Sequence, residues 1–179
     1  MAHIIIKKIP GTYDNYDAFD NVISYINKQS VHIGGYGFIP INATTAIEAF
    51  NKSNDSMDKI YPIDNKLWHI IFSFDNTFSY DLVNNLSQIF CKYLIQKSYY
   101  SFYGIHHPES KLKLREYHVH FCIPTFPCNI YYTWNPSFVL SLLENYAKRL
   151  ESDYEDYQEQ LKCAGVISSK SHLTIRREF

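Results

Sequence analysis

The sequence predicts an α+β domain, a mainly antiparallel central β-sheet of about five strands with helices packed on it. Three observations carry this prediction. β-rich and helical runs follow one another in the order βα(α)βαββ(β)αβ. Two of the β-rich runs are joined only by the polar loop Pro108 to Glu116, too short for a helical crossover, so they pair antiparallel. The 179 residues suffice for one core and are too few for two comfortable ones, so the chain reads as a single domain over 1–179.

Taken in order, His3 to Ile9 is a β-rich run closed by Pro10-Gly11, which predicts a first strand and a turn. From Asp14 to Lys28, the residues Phe19, Val22, Ile23 and Ile26 recur at helical spacing. On a wheel of about 100° per residue, Tyr16 falls within that apolar stripe, a core position, while Tyr25 falls beside it and is free to face a groove. Gly34-Gly35-Tyr36-Gly37 reads as a mobile turn and matches no phosphate-cradling pattern. Thr44 to Asn51 predicts a short helix capped by Thr44 or Thr45, followed by the polar stretch Lys52 to Lys59. Lys66 to Phe74 is strongly β in character, as a central strand would be.

Ser79 to Lys97 is the clearest helix, with a Thr/Ser capping cluster ahead of Leu82, Val83, Leu86, Phe90 and Leu94. Two further strands follow, Tyr99 to His107 and Tyr117 to Ile123, and Asn129 to Tyr132 suggests a short edge strand. Asn135-Pro136 is a helix entry, with Asn as cap and Pro in the first turn. Leu143, Tyr146, Leu150, Tyr154, Tyr157 and Leu161 then mark the apolar stripe of a long helix that Gly165 can end, and Val166 to Ile175 returns as a final strand.

Composition excludes little. A net charge of −1 gives no overall basic signature, although Lys111, Lys113 and Arg115, or Lys170, Arg176 and Arg177, form local stripes suited to phosphates. The 16 tyrosines offer stacking surfaces for unpaired bases, although many such rings belong to a core. Cys91, Cys122, Cys128 and Cys163 have no C-x-x-C spacing and read as free thiols of a reducing cytoplasm. The N-terminal apolar run is too short for a membrane span or a secretory segment, so no membrane association is expected.

The stretch richest in chemistry is Tyr117-His118-Val119-His120-Phe121-Cys122-Ile123. Alternation along a strand puts His118 and His120 on one face, about 7 Å apart, and Val119 and Phe121 on the other. Two such imidazoles converge on one ion if a neighbouring strand supplies a third, and His106 ends the preceding strand. An isolated H-x-H also occurs in strands whose histidines merely make hydrogen bonds.

In combination these features resemble the relaxase, or mobilization nuclease, family of HUH endonucleases, in the branch whose nucleophilic tyrosine precedes the histidine motif. The resemblance spans roughly residues 1 to 125. Tyr25 in Val22-Ile23-Ser24-Tyr25-Ile26-Asn27-Lys28 is similar to the first motif, Trp68-His69-Ile70-Ile71-Phe72-Ser73-Phe74 looks like the histidine and serine strand, and His106, His118 and His120 look like the three-histidine motif. Two departures stand out: Pro108 occupies a position usually held by Asp, and the His106 to His118 spacing is longer than usual. Glu109 and Glu116 are the nearby carboxylates available to replace that Asp in supporting a ligand.

The resemblance implies an HUH-endonuclease-like fold in which Tyr25 attacks a phosphate of single-stranded DNA at an origin-like site, becomes linked to its 5′ end and later rejoins it, initiating plasmid or integrative-element transfer. It implies a divalent metal on His106, His118 and His120, with Mn²⁺ or Mg²⁺ expected and Zn²⁺ an option. Accessory DNA-binding or coupling proteins are implied partners, in the cytoplasm. Lys28 stands one turn from Tyr25, where it can steady a phosphate, but a solvated helix-end lysine is the favoured reading. His69 reads as a hydrogen-bonded core residue or as a support for a ligand. The alternatives are a rolling-circle replication initiator or single-strand transposase, with Tyr146, Tyr154 or Tyr157 as nucleophile, and a catalytically inactive DNA-binding accessory protein. All three tyrosines lie on an apolar helix stripe, which favours Tyr25.

Overall fold

A computed structural model describes residues 1–106, 116–129, 135 and 137–179. Among them the chain runs β1 (Ala2–Lys8), α1 (Ala18–Gln29), β2 (Ser30–Tyr36), α2 (Ala43–Asp58), β3 (Leu67–Phe74), α3 (Tyr80–Gln96), β4 (Ser101–His106), β5 (Tyr117–Pro124), α4 (Phe138–Cys163) and β6 (Leu173–Glu178). The strands form one open sheet in the order β2-β4-β5-β3-β1-β6. The expected α+β class holds, with two corrections. The sheet has six strands among the described residues, and it is mixed, because β6 lies parallel to β1 while every other pair is antiparallel.

Helices cover both faces. Ile70, Phe72, Val119 and Phe121 point to the side where Phe90 and Leu94 of α3 and Leu142, Leu143 and Tyr146 of α4 close a large core. A second core on the opposite side joins Phe19, Ile23 and Ile26 of α1 and Phe50 of α2 to Phe102 and Cys122. That second layer is incomplete. Along β1, β3 and β6 the same face leaves Ile5, Ile71 and Ser73 half-buried and Lys7, Thr174 and Arg176 exposed.

Several local expectations give way to context. Gly34 and Gly35 belong to β2, an edge strand, because a Cβ on Gly34 would stand 2.4 Å from the Tyr103 ring and one on Gly35 2.5 Å from the Ser101 carbonyl. These glycines permit close packing of β2 on β4, and the expected turn is a strand. Helix α2 is twice the predicted length. It is capped by the Asn42 side chain, which accepts from Thr45 N at 2.9 Å, and continues because Phe50, Asn54 and Met57 share its buried face. Tyr16 lies ahead of α1, which begins only at Ala18, and is exposed. Tyr157 also faces solvent, because the C-terminal half of α4 runs past the core.

Ser79 caps α3 by accepting from Leu82 N, as its sequence predicts, and Gly165, at φ 70°, follows α4's end. Helix α4 starts later than expected: its N-cap is Ser137, and Asn135, the expected cap, accepts from Ser137 N through Oδ1 ahead of the first turn. The final strand lies later than expected, at Leu173–Glu178. The suggested edge strand from Asn129 falls almost wholly outside the described residues.

Candidate functional site

Strand register lays the histidines out in rows. His106 pairs with His118, His118 with Ser73, Ser73 with Ile5 and Ile5 with Arg176, one continuous row across five strands. The next row runs Gly104, His120, Ile71, Lys7 and Glu178. All of these residues point to the α1 and α2 face, so the alternation read from β5 holds and His106 joins the pair as its spacing suggested.

Helix α1 ends over this array. Gly104 allows it: a Cβ there would lie 1.9 Å from Ser30 Oγ and 2.6 Å from Ile26 Cγ2. The Ile26 carbonyl accepts from Ser30 Oγ at 2.6 Å and from His106 Nε2 at 3.1 Å. A carbonyl can only accept, so His106 carries its proton on Nε2 and keeps the Nδ1 lone pair. The neighbouring residue, Tyr25, is thereby set over the histidines. Its ring stands edge-on to three imidazoles, with centroid distances of 6.0 Å to His69, 6.0 Å to His106 and 5.6 Å to His120. At 44% exposure it is open to a ligand from solvent.

The rings at Tyr25 differ by one from those expected. His69, buried on β3, belongs to the cluster, and its Nε2 lies 2.9 Å from His120 Nδ1. His120 in turn stacks on His106, with centroids 4.2 Å apart. His118 stands in the same row as His106, half-buried, with Nδ1 2.9 Å from Ser73 Oγ. The His69 to His120 contact depends on the β3 to β5 register and has no local signal in the chain.

Three of these rings, His69, His106 and His120, are held towards the neutral form. Burial, and then the adjacent His106, pushes His69 down to about 4. Burial, followed by His106, His69 and His118, pushes His120 down to about 3. His106 is lowered as well, chiefly by burial, against the opposing bond to Ile26. Neutral imidazole is the form that donates a lone pair to a metal or accepts a proton.

Among the described residues, no three His, Cys, Asp or Glu side chains are already arranged around one metal position. The donor chemistry of His106, His118 and His120 nevertheless fits a first-row divalent ion. The three share a face, and each has one ring nitrogen tied to a neighbour and the other without a hydrogen bond among the described residues.

Of the remaining candidates, Lys28 lies exposed in the last turn of α1 and Glu116 half-buried just ahead of β5. Lys111, Lys113 and Arg115, together with His107, Pro108 and Glu109, lie outside the described residues. Of the rival tyrosines, Tyr146 packs on Phe72 and Phe90 on the other side of the sheet and Tyr154 bonds to Ser171, while Tyr157 is exposed. No family model, curated protein or solved structure matches the chain.

Proposed function

We propose that the protein nicks and rejoins single-stranded DNA, with Tyr25 as the nucleophile, as its resemblance to the HUH relaxases implies. One observation carries this reading: a half-exposed tyrosine held edge-on to a cluster of buried, neutral histidines at 5.6 to 6.0 Å. A cluster of this kind in an open site is a functional-site signature on physical grounds.

In the step proposed, Tyr25 Oη attacks a backbone phosphorus. The Tyr25 O–P bond forms as the P–O3′ bond breaks, the phenolic proton is lost, and the departing 3′ oxygen takes up a proton. The 5′ phosphate stays on Tyr25 as a phosphodiester, so attack by the 3′-hydroxyl reverses the step and restores the strand. Helix α1 holds Tyr25 in place through the Ile26 to His106 bond, and fixed orientation of this kind is a large share of such catalysis. A divalent ion such as Mn²⁺, Mg²⁺ or Zn²⁺, held by His106, His118 and His120, supplies when bound a Lewis acid for the charge growing on the phosphate. The uncovered face of β3, β1 and β6, with Lys7 and Arg176 in the same rows as His120 and His118, offers the adjoining strand a path with two cations on it.

On this reading the substrate is an origin-like site of a plasmid or integrative element, met in the cytoplasm, with accessory DNA-binding or coupling proteins as partners. The packing of Tyr146 beneath the opposite face and the bond from Tyr154 to Ser171 favour Tyr25 over either of them as the nucleophile. The test uses labelled single-stranded oligonucleotides tiled across the element that encodes the protein, with and without Mn²⁺. A denaturant-resistant protein–DNA adduct that disappears in Tyr25→Phe is expected. An adduct that survives this substitution refutes the assignment. DNA binding without any adduct would leave the inactive accessory protein as the reading.

A further inference from the structure

One ring beside Tyr25 has no part in the nicking scheme: His69. It is 93% buried on β3, its backbone carbonyl accepts from Ile9 N at 2.9 Å, and its Nε2 faces His120 Nδ1 at 2.9 Å. With both rings neutral, one proton lies between those two nitrogens, and it can sit on either. If it is on His120 Nδ1, then His120 Nε2 carries a bare lone pair. If it is on His69 Nε2, then His120 must hold its own proton on Nε2 and has no lone pair to offer there.

Of the other two candidate ligands, His106 has its proton fixed on Nε2 by the Ile26 carbonyl, while the Ser73 hydroxyl at His118 Nδ1 can donate or accept and so satisfies either tautomer. Each has one nitrogen hydrogen-bonded and, among the described residues, the other without a partner, as in a metal-binding imidazole. His120 lies between them and has neither carbonyl nor hydroxyl on its anchored side. Its only hydrogen-bond partner among the described residues is His69.

We propose that His69 is a positioning residue that accepts the Nδ1–H of His120, holding His120 in the tautomer whose Nε2 lone pair is free to bind a divalent cation. In this arrangement His69 carries its own proton on Nδ1. The inference rests on the reading of His120 as a metal ligand in the proposed nuclease, and it makes no claim about the DNA step.

The test is made on the full chain labelled with ¹⁵N in histidine, at neutral pH and free of metal, by long-range ¹H–¹⁵N correlation of the rings. His120 is expected to show a protonated Nδ1 and a bare Nε2. The His69→Phe substitution removes the acceptor, so His120 is expected to shift towards the Nε2–H form and Mn²⁺ affinity to fall about tenfold or more. His69→Gln, whose side-chain oxygen can accept in place of the ring nitrogen, is expected to restore both.

A protonated Nε2 on His120 in the parent protein overturns the inference, and this measurement stands even if His69→Phe does not fold. Equal Mn²⁺ affinity in the parent and His69→Phe overturns it too, as does a parent that binds no Mn²⁺. The expected tautomer and Mn²⁺ response without a Tyr25 adduct would support the role of His69 while refuting the nicking scheme, so the two failures are distinguishable.

Discussion

Gly104→Ala probes how α1 is seated above the histidines. A Cβ at this position meets Ser30 Oγ at 1.9 Å and Ile26 Cγ2 at 2.6 Å, where ordinary contact is about 3.5 Å, so roughly 1.6 and 0.9 Å must be found. Ser30 can rotate, but it then gives up its 2.6 Å bond to the Ile26 carbonyl, at a cost of about 1 kcal/mol. Ile26 cannot turn away, because a β-branched residue in a helix has essentially one χ1 rotamer. The end of α1 must therefore rise by about 1 Å, carrying Tyr25 with it. Overpacking of this kind costs about 1–3 kcal/mol, which for a chain of this size lowers Tm by roughly 3–10 °C. A displacement of about 1 Å at the nucleophile lowers adduct formation by about 100-fold. Thermal melts and adduct yield would be measured for Gly104→Ala, Ser30→Ala and the double variant. Because Ser30→Ala removes the closest clash, the double variant is expected to be more stable than the sum of the singles by about 1 kcal/mol. Strictly additive effects, or a Gly104→Ala protein that melts and reacts like the parent, would refute this account of the site.

Four further outcomes follow from the same geometry. Tyr25→Phe abolishes the adduct and, on a half-exposed ring, changes stability by no more than about 0.5 kcal/mol. Tyr146→Phe instead loses the bond to the Leu86 carbonyl, costing about 1 kcal/mol and leaving adduct formation intact. Stability of the metal-free protein falls with acid, because His69 and His120 are depressed when folded, so the unfolded chain takes up their protons first. The loss begins near pH 6.5 and deepens by about 1.4 kcal/mol per pH unit for each ring down to about pH 4. Denaturant titrations across that range check it, and His69→Phe should remove about half the slope. Finally, Lys7→Ala with Arg176→Ala leaves Tm unchanged, since both residues are exposed, yet makes the salt dependence of single-strand binding shallower by about 1.4 in log–log slope. An unchanged slope would remove the open half of the sheet as the DNA path.

What the sequence disclosed and what it withheld divide along one line. Features set by neighbours along the chain were legible: the alternation that puts His118 and His120 on one face, the stripe that buries Phe19, Val22, Ile23 and Ile26 and leaves Tyr25 beside it, and the Ser79 and Gly165 signals at helix ends. Features set by distant strands were not. Gly34 and Gly35 have the composition of a turn, and only Tyr103 and Ser101 on β4 explain why they form a strand. The parallel pairing of β6 with β1 has no local signature, so the sheet read as antiparallel. His69 is the telling case, because its side chain meets His120 only through the register in which Ile71 faces His120. Tyr16 failed for a local reason, since the helical wheel was carried two residues beyond the true start of α1.

The histidine cluster is hard to explain as packing alone. His106 and His120 stack at 4.2 Å, and His69 adds a third ring within hydrogen-bonding distance. Burial keeps these rings neutral, so they contribute no ion pair, and they make the fold sensitive to mild acid. Phe102 and Cys122 show what the same face uses where only a core is required. Apolar side chains at His69 and His120 would remove the acid sensitivity without leaving a charge unpaired. Local choices that disagree with the stability of the surrounding fold are expected where a function requires them. What distinguishes this set chemically is that His106, His118 and His120 each have one ring nitrogen hydrogen-bonded and the other without a partner among the described residues, near a tyrosine open to solvent. The acid sensitivity of the metal-free fold and the capacity to bind a cation are therefore two consequences of the same buried lone pairs.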